Sequence, residues 1–403
     1  MPWEKVKLGD VCKSITDGDH QSLPLSENGI PFIVIANISS NNRVEFEKTR
    51  YVPFEYYEKL DEKRKPQKGD VLLTVKGSFG IPVYIADDKP FVFQRDIAIL
   101  KCNEKINSKF LFFYMKNKEF YLYTDSIAIG AAQRAITLNA LRNTVIRLPL
   151  VKTQKRIADI LSAYDNLIEN NQKQIKLLEE AAQRLYKQWF IDLRFPGHET
   201  TKIVDGIPEG WKTVQIQDVC KNIGAGGTPS RSQKSFWENG NINWFKTQEL
   251  CDCWLFEASE KISEEGLKRS AAKMFPANSI LMAIYASPTL GRLGILTKEA
   301  CSNQAALCLQ VDESKVSNYW LYLKLFELRD KFNSIARGAG QQNISGIIVK
   351  ETEIALPDIS VVNAFTKLVR LFFEKQRTLQ LQNISLTQTR NRLLPKLMSG
   401  GII

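Results

Sequence analysis

Histidine is nearly missing from this chain: His20 and His198 are the only two among 403 residues. Imidazole-based acid–base chemistry and histidine-rich metal sites are therefore all but excluded. His198 sits in a Pro-Gly-His-Glu segment that reads as a solvated linker. No G-x-x-x-x-G-K-[ST] string occurs, so nucleotide-driven work is not encoded in a P-loop here. No apolar run approaches the ~18 residues of a membrane helix; Phe110–Met115 (FLFFYM) is short. The N-terminal MPWEKVKLGD lacks the apolar stretch of a secretory signal. The seven cysteines are odd in number and scattered, which is no disulfide framework and fits a reducing cytoplasm. Cys251-x-Cys253 with Cys301 and Cys308 lacks the spacing of a paired zinc knuckle, so no metal site is expected. Cys12 and Cys220 lie in apolar strings and read as core thiols. Glu313-Ser-Lys315 has the spacing of a nuclease half-motif, but no Pro-Asp pair precedes it.

What the chain does have is positive charge, unevenly spread. The net charge is +11, which points to a polyanionic partner. Residues 1–150 hold 22 cations against 18 anions, residues 200–358 hold 18 of each, and residues 359–403 hold 7 against 1. A nucleic-acid reading therefore cannot rest on bulk basicity of every segment.

The chain also repeats itself. LGDVCKSI at 8–15 returns as IQDVCKNI at 216–223. Trp3, Val6, Asp10, Val11, Cys12, Lys13 and Ile15 recur at one constant spacing as Trp211, Val214, Asp218, Val219, Cys220, Lys221 and Ile223. The register slips through the middle, where GDVLLTVKGSFG (69–80) faces NSILMAIYASPTLG (278–291) and FQRDIAIL (93–100) faces SNQAALCL (302–309). It returns for AIGAAQRAIT (128–137) against ARGAGQQNIS (336–345) and IRLP (146–149) against IALP (354–357). Insertions and deletions have cancelled, so the chain reads as two copies of one unit. Each copy opens with short β-rich runs and turn signals, such as FIVIANI, DVLLTV and SILMAIYA, which predict an α/β globular domain. YWLYLKLFELRDKFNSI (319–335) reads as one helix within the second.

After each Leu-Pro pair the pattern changes. From Thr153 to about Leu193 there is neither Pro nor Gly. Ile157, Leu161, Tyr164, Ile168, Asn171, Ile175, Leu178, Ala182, Leu185 and Trp189 alternate at spacings of four and three, a coiled-coil seam. Phe365, Val369, Phe372, Gln376, Leu379, Asn383, Leu386, Arg390, Leu393 and Leu397 occupy the same places in the second copy. A helix of ~40 residues is ~60 Å long and needs a partner. The simplest partner for each helix is the other, antiparallel; the alternative is that each packs on its own globular domain. The expected fold class is therefore α/β (α+β): two globular domains alternating with two long helices paired as an antiparallel coiled coil, with a pseudo-twofold internal repeat. The expected boundaries are 1–150, 151–198, 199–358 and 359–403.

This order resembles the specificity subunits of type I restriction–modification systems. GGTPSRSQKSFWENGNINWF (226–245) is similar to the opening signature of their target-recognition domains, and DGDHQSLPLSENGIPFIVI (17–35) looks like a variant of it. QRLYKQWFIDLRFPG (183–197) followed by DGIPEGWK (205–212) resembles the end of their central conserved helix, and NRLLPKLMSGGI (391–402) their distal conserved helix. The resemblance implies a cytoplasmic, non-catalytic, DNA-binding chain whose two recognition domains each read one half of a bipartite double-stranded target. The helices would then dock two methyltransferase (modification) subunits, and restriction/translocase subunits could join. S-adenosylmethionine, ATP and Mg are expected on those partners, and no cofactor in this chain. In agreement, it lacks the Asn-Pro-Pro-aromatic string of an adenine methyltransferase. The reading from another class is a coiled-coil scaffold that spaces two protein-binding modules without touching DNA, favoured by the neutral charge of residues 200–358.

Base readout needs paired donors and acceptors, and phosphate contacts need cations or free N–H groups. The candidates are loop residues after the repeated strands: Lys76 and Ser78 facing Tyr285 and Ser287, with Arg292 beyond; Arg95 facing Gln304; and Gln133 and Arg134 facing Gln341 and Gln342. Lys246 and Gln248, and His20 in the first opening loop, complete the set. On the basic distal helix, Lys367, Arg370 and Arg377 are expected to face a partner.

Overall fold

A computed structural model describes residues 3–19, 23–39, 41–130, 134–285, 288–336 and 343–401. The chain divides into two compact units, Met1–Glu169 with Ile384–Ile403, and Asn170–Asn383.

In the first unit a four-stranded antiparallel sheet has the order Cys12–Asp17, Ile97–Cys102, Val71–Thr74, Pro82–Tyr84. Its central strands read as unbroken apolar runs because both faces are covered. Val71, Leu73, Ala98 and Leu100 point into one core with helix Ser108–Lys116, while Leu72, Ile97 and Ile99 point into another with Ile33 and Phe93. That alternation is the period of two of an extended strand. Helix Ser108–Lys116 starts where Asn107 accepts a side-chain cap from Phe110 N–H at 3.0 Å, and it buries Phe110, Leu111, Phe113 and Met115. A three-stranded sheet, Arg50–Val52, Ile30–Ile33, Val92–Phe93, lies beyond the second core. Strand Glu4–Lys7 pairs separately with Val145–Leu148.

The second unit lays its strands in the matching order. Cys220–Ala225, Ala306–Val311, Ile280–Ala283, Leu293–Leu296 and Cys253–Leu255 form one sheet, and Glu260–Ile262, Ile242–Phe245, Cys301–Ser302 another. Lys212–Gln215 pairs with Glu353–Leu356. Alternation recurs, with Ile280, Met282, Leu307 and Leu309 in one core and Leu281, Ala283, Ala306 and Cys308 in the other.

One sequence expectation needs correction. The stretch 319–335 is two helices, Asn318–Glu327 and Arg329–Ile335. The chain turns at Leu328 (ψ −4°), beside which the Arg329 guanidinium is held by Asp252 and by the Gly291 carbonyl at 2.9 Å. Cys12 and Cys220, each opening an edge strand of its sheet, are partly buried and pack against the cores. The central helix runs over Val151–Tyr186 and then widens into a π-turn at Lys187–Ile191, where Trp189 and Phe190 turn inward.

Buried Gln154 anchors the start of that helix. Its carbonyl oxygen accepts from Asn107 N–H at 2.7 Å, and its amide donates to the carbonyls of Lys105 (3.0 Å) and Pro149 (2.8 Å). The distal helix, Ile359–Met398, is continuous through Pro395. None of the twenty seam positions is exposed. Within the first unit, Ile157, Leu161, Leu394 and Leu397 share one core. Within the second, Tyr186, Trp189 and Phe190 surround Phe365, with ring centroids 6.1, 5.7 and 4.9 Å away.

Candidate nucleic-acid interface

In the first unit, strands Cys12–Asp17 and Val71–Thr74 end, and Ile97–Cys102 begins, at one edge of the sheet. The segments leaving that edge are tied together by backbone contacts. Asp19 pairs with Gln94, and a Cβ on Gly18 would fall 2.1 Å from the Phe93 carbonyl oxygen, so only glycine allows this approach. Val75 N–H donates to Asp96 at 2.8 Å, Ile136 N–H to Val75 at 2.8 Å, and Gly77 N–H to Arg134 at 3.3 Å. Lys76 pairs with Ala135. Four segments, 17–19, 75–80, 94–96 and 129–130 with 134–136, thus converge.

The corresponding edge of the second unit is built the same way. Gly227 N–H donates to Ser302 at 2.9 Å, Ile284 N–H to Ala305 at 2.9 Å, and Ile344 N–H to Ile284 at 3.0 Å. Tyr285 pairs with Asn343. Asn303 N–H donates to Phe245 at 3.0 Å, which brings the segment carrying Lys246 and Gln248 to the same edge.

Lys76 is half-buried, while Ser78 and Arg95 are exposed. Exposed Arg134 is ion-paired to Asp125 at 3.1 Å. Gln248, Tyr285 and Gln304 are exposed, and Thr228 donates its hydroxyl to the Gln304 side chain. Arg292 is half-buried. Among the described residues no carboxylate pairs with Lys76, Arg95 or Arg292. His20, Gln133, Ser287, Gln341 and Gln342 lie outside the described residues. His198, in contrast, is occupied structurally, its Nδ1 lying 2.8 Å from the Phe195 carbonyl oxygen.

Sequence reasoning missed Arg231. Its guanidinium lies 3.7 Å from the centre of the Trp237 ring and 5.2 Å from that of Trp244, and it pairs with Glu260. Glu260 also holds Lys246 at 2.7 Å. Hydrogen bonds from Arg231 first and Lys246 second hold the Glu260 carboxyl below its ordinary range. Lys246 is therefore already partly neutralised, which weakens it as a phosphate contact. The signal was present as an arginine six residues before a tryptophan within the quoted opening signature. The Asp19 carboxylate, likewise missed, accepts from the Tyr56 hydroxyl at 2.8 Å and lies 3.5 Å from the Arg64 guanidinium.

Polar contacts join the two long helices within each unit. In the first, Asp165 sits between Arg390 and Lys116, the latter at 3.5 Å. Burial pulls the Lys116 pKa down, and the Asp165 charge opposes that only in part. In the second, the Asn171 amide donates to the Asn383 side-chain carbonyl at 2.9 Å. Buried Gln376 leaves its amide nitrogen without a partner among the described residues.

Two sheet edges crowded with cations, amides and a tyrosine, each carried by a globular module attached to long helices, define a two-module recognition protein. The model of the type I restriction modification DNA specificity domain matches residues 1–180 and again 208–380. The chain belongs to that family: it is a non-catalytic specificity subunit with target-recognition domains. It is 26% identical to the type I restriction enzyme MjaIX specificity subunit of Methanocaldococcus jannaschii, over 99% of this chain and 93% of that one. It is 24% identical to the HindI specificity subunit of Haemophilus influenzae, over 99% of each. The crystal structure of a type I restriction–modification S subunit from M. genitalium has the same fold, with a TM-score of 0.62 at 15% identity, over 98% of this chain and 96% of that one. No helix among the described residues is long and apolar enough to cross a membrane.

Proposed function

We propose that each four-segment edge reads one half of a bipartite double-stranded DNA target. The observation that carries this reading is the convergence of segments bearing Lys76 and Arg95 in the first module, and in the second the place of Arg292 beside the converging edge, where Ala283 N–H donates to its carbonyl at 2.9 Å. None of the three has a carboxylate partner among the described residues. Unpaired cations release counterions on binding phosphate, whereas the committed pairs of Arg134 and Lys246 gain less. Ser78, Gln248, Tyr285 and Gln304 supply the donors and acceptors suited to base edges. His20, Gln133, Ser287, Gln341 and Gln342, which adjoin these segments in the sequence and lie outside the described residues, are the remaining candidates.

In this reading the modules are residues 1–150 and 199–358, and the segments 151–198 and 359–403 pair as an antiparallel coiled coil. The Asp165–Arg390 and Asn171–Asn383 contacts support antiparallel pairing, since the partner number falls as the other rises. Matching strand orders support a pseudo-twofold duplication. Half-site centres then lie on the order of one duplex turn apart. The helices dock two modification subunits that carry S-adenosylmethionine, and restriction subunits that use ATP and Mg join them in the cytoplasm. The basic distal helix, through Lys367, Arg370 and Arg377, faces one of them.

The scaffold reading is favoured only by the balanced charge of residues 200–358. Selection from a random duplex library by the complex with its modification subunits separates the two. Two short fixed blocks with a constant unspecified gap are expected. Lys76→Ala with Arg95→Ala, or Arg292→Ala, should weaken binding to all selected sequences and reduce its salt dependence, whereas Ser78→Ala should blur one block and Gln304→Ala the other. A single contiguous motif, or none, would refute the bipartite reading.

A further inference from the structure

The first module carries a pair of cysteines that no part of the recognition function uses. Cys12 opens the edge strand Cys12–Asp17 and Cys102 closes the neighbouring strand Ile97–Cys102, and the two are direct partners across the antiparallel ladder. The kind of pairing matters. Asn103 N–H donates to the Val11 carbonyl at 3.0 Å. The bond between the flanking residues makes Cys12 and Cys102 a non-hydrogen-bonded pair, whose Cα atoms stand ~4.5 Å apart. That spacing lies within the range a disulfide spans. Both side chains face the same core, against which each is partly buried. Both are free, and neither residue is fully buried.

The second module supplies a control within the same chain. Cys220 stands where Cys12 stands, before the same kind of bulge, but its partner across the ladder is Val311. Only the first module has the pair.

We propose that Cys12 and Cys102 form a redox-closable clasp, a dithiol site oxidised by small-molecule disulfides such as glutathione disulfide. The thiolate of one cysteine, Cys102, attacks a sulfur of the small disulfide, which leaves as one thiolate and one mixed disulfide. The Cys12 thiolate then attacks the Cys102 sulfur, forming the Cys12–Cys102 bond and releasing the second small thiol. The protein loses two protons and two electrons, and the small disulfide gains them. The neighbouring Cys102 thiol and then burial hold the Cys12 thiol well above the ordinary range, so its thiolate is scarce and the second step relies on the proximity of the two sulfurs. The bond pins the edge strand, and with it the segment leaving at Asp17, to the central sheet of this module alone.

The test uses the full-length protein in buffers of graded glutathione to glutathione-disulfide ratio, quenched by acid alkylation and read by intact mass and peptide mapping. The wild type is expected to lose two hydrogens and to yield one cross-linked peptide pair joining Cys12 to Cys102. The unfolding midpoint of the first unit should then rise by on the order of 10 °C. Cys102→Val, which installs the residue the second module carries at Val311, should abolish the cross-link, while Cys220→Ser should leave it intact. Glutathione adducts alone across the series, a cross-link through other cysteines, or no oxidation at the most oxidising ratio would each overturn the proposal. The wild-type measurement decides even if a variant fails to fold.

Discussion

Replacing Phe365 with alanine should destabilise the second unit. Phe365 is fully buried and meets Tyr186, Trp189 and Phe190, so it joins the start of the distal helix to the end of the central one. Truncating a buried phenylalanine costs about 3–5 kcal/mol, and aromatic contacts of this kind are worth ~0.5–1.5 kcal/mol each beyond area. Taking about 4 kcal/mol, and ~2–4 °C per kcal/mol for a unit of this size, the midpoint should fall by roughly 8–16 °C. Tryptophan fluorescence is a suitable probe: of the seven tryptophans only Trp3 lies in the first unit, so the signal reports the second. Phe365→Leu, which keeps most of the volume, should cost far less. A loss below about 1 kcal/mol for the alanine variant, or equal losses for leucine and alanine, would refute the placement of Phe365 at the centre of that core.

Arg390→Ala should destabilise the first unit by about 1–3 kcal/mol, because Asp165 loses its closer cation and keeps only Lys116; urea denaturation measures it. Gln376→Leu should raise stability by up to ~1–3 kcal/mol, since the buried amide nitrogen has no hydrogen-bond partner among the described residues. Glu179 titrates at about 7, raised by burial first and by Asp252 and Glu180 next. A carboxyl whose folded pKa exceeds its unfolded one favours folding only while protonated. Stability should therefore fall as pH rises from the ordinary carboxylate range through 7, and Glu179→Gln should flatten that slope in unfolding measured across pH.

The strands were legible because both sheet faces are covered, which forces apolar runs such as VLLT and ILMA, and the constant spacing of the repeat located the paired Leu-Pro exits. The helix break at Leu328 was not legible. Local propensity favours one helix there, and the turn depends on Arg329 meeting Asp252, a contact remote in sequence. The clustering of the segments around Lys76 and Arg134 was suggested by the repeat, but the ion pairs that commit Arg134 and Lys246 could not be read from a linear string. Nor could the stacking of Arg231 on two tryptophans, which needs the sheet to bring positions 231, 237 and 244 together.

The central claim is that this chain chooses where adenines are methylated by reading two separated half-sites. Base-resolution methylation mapping of a host genome with and without the gene, its modification partner present throughout, tests it directly. The account predicts loss of one methylated-adenine motif made of two fixed blocks around a constant gap. A methylome unchanged by removal of the gene, with the partner demonstrably active, would contradict it.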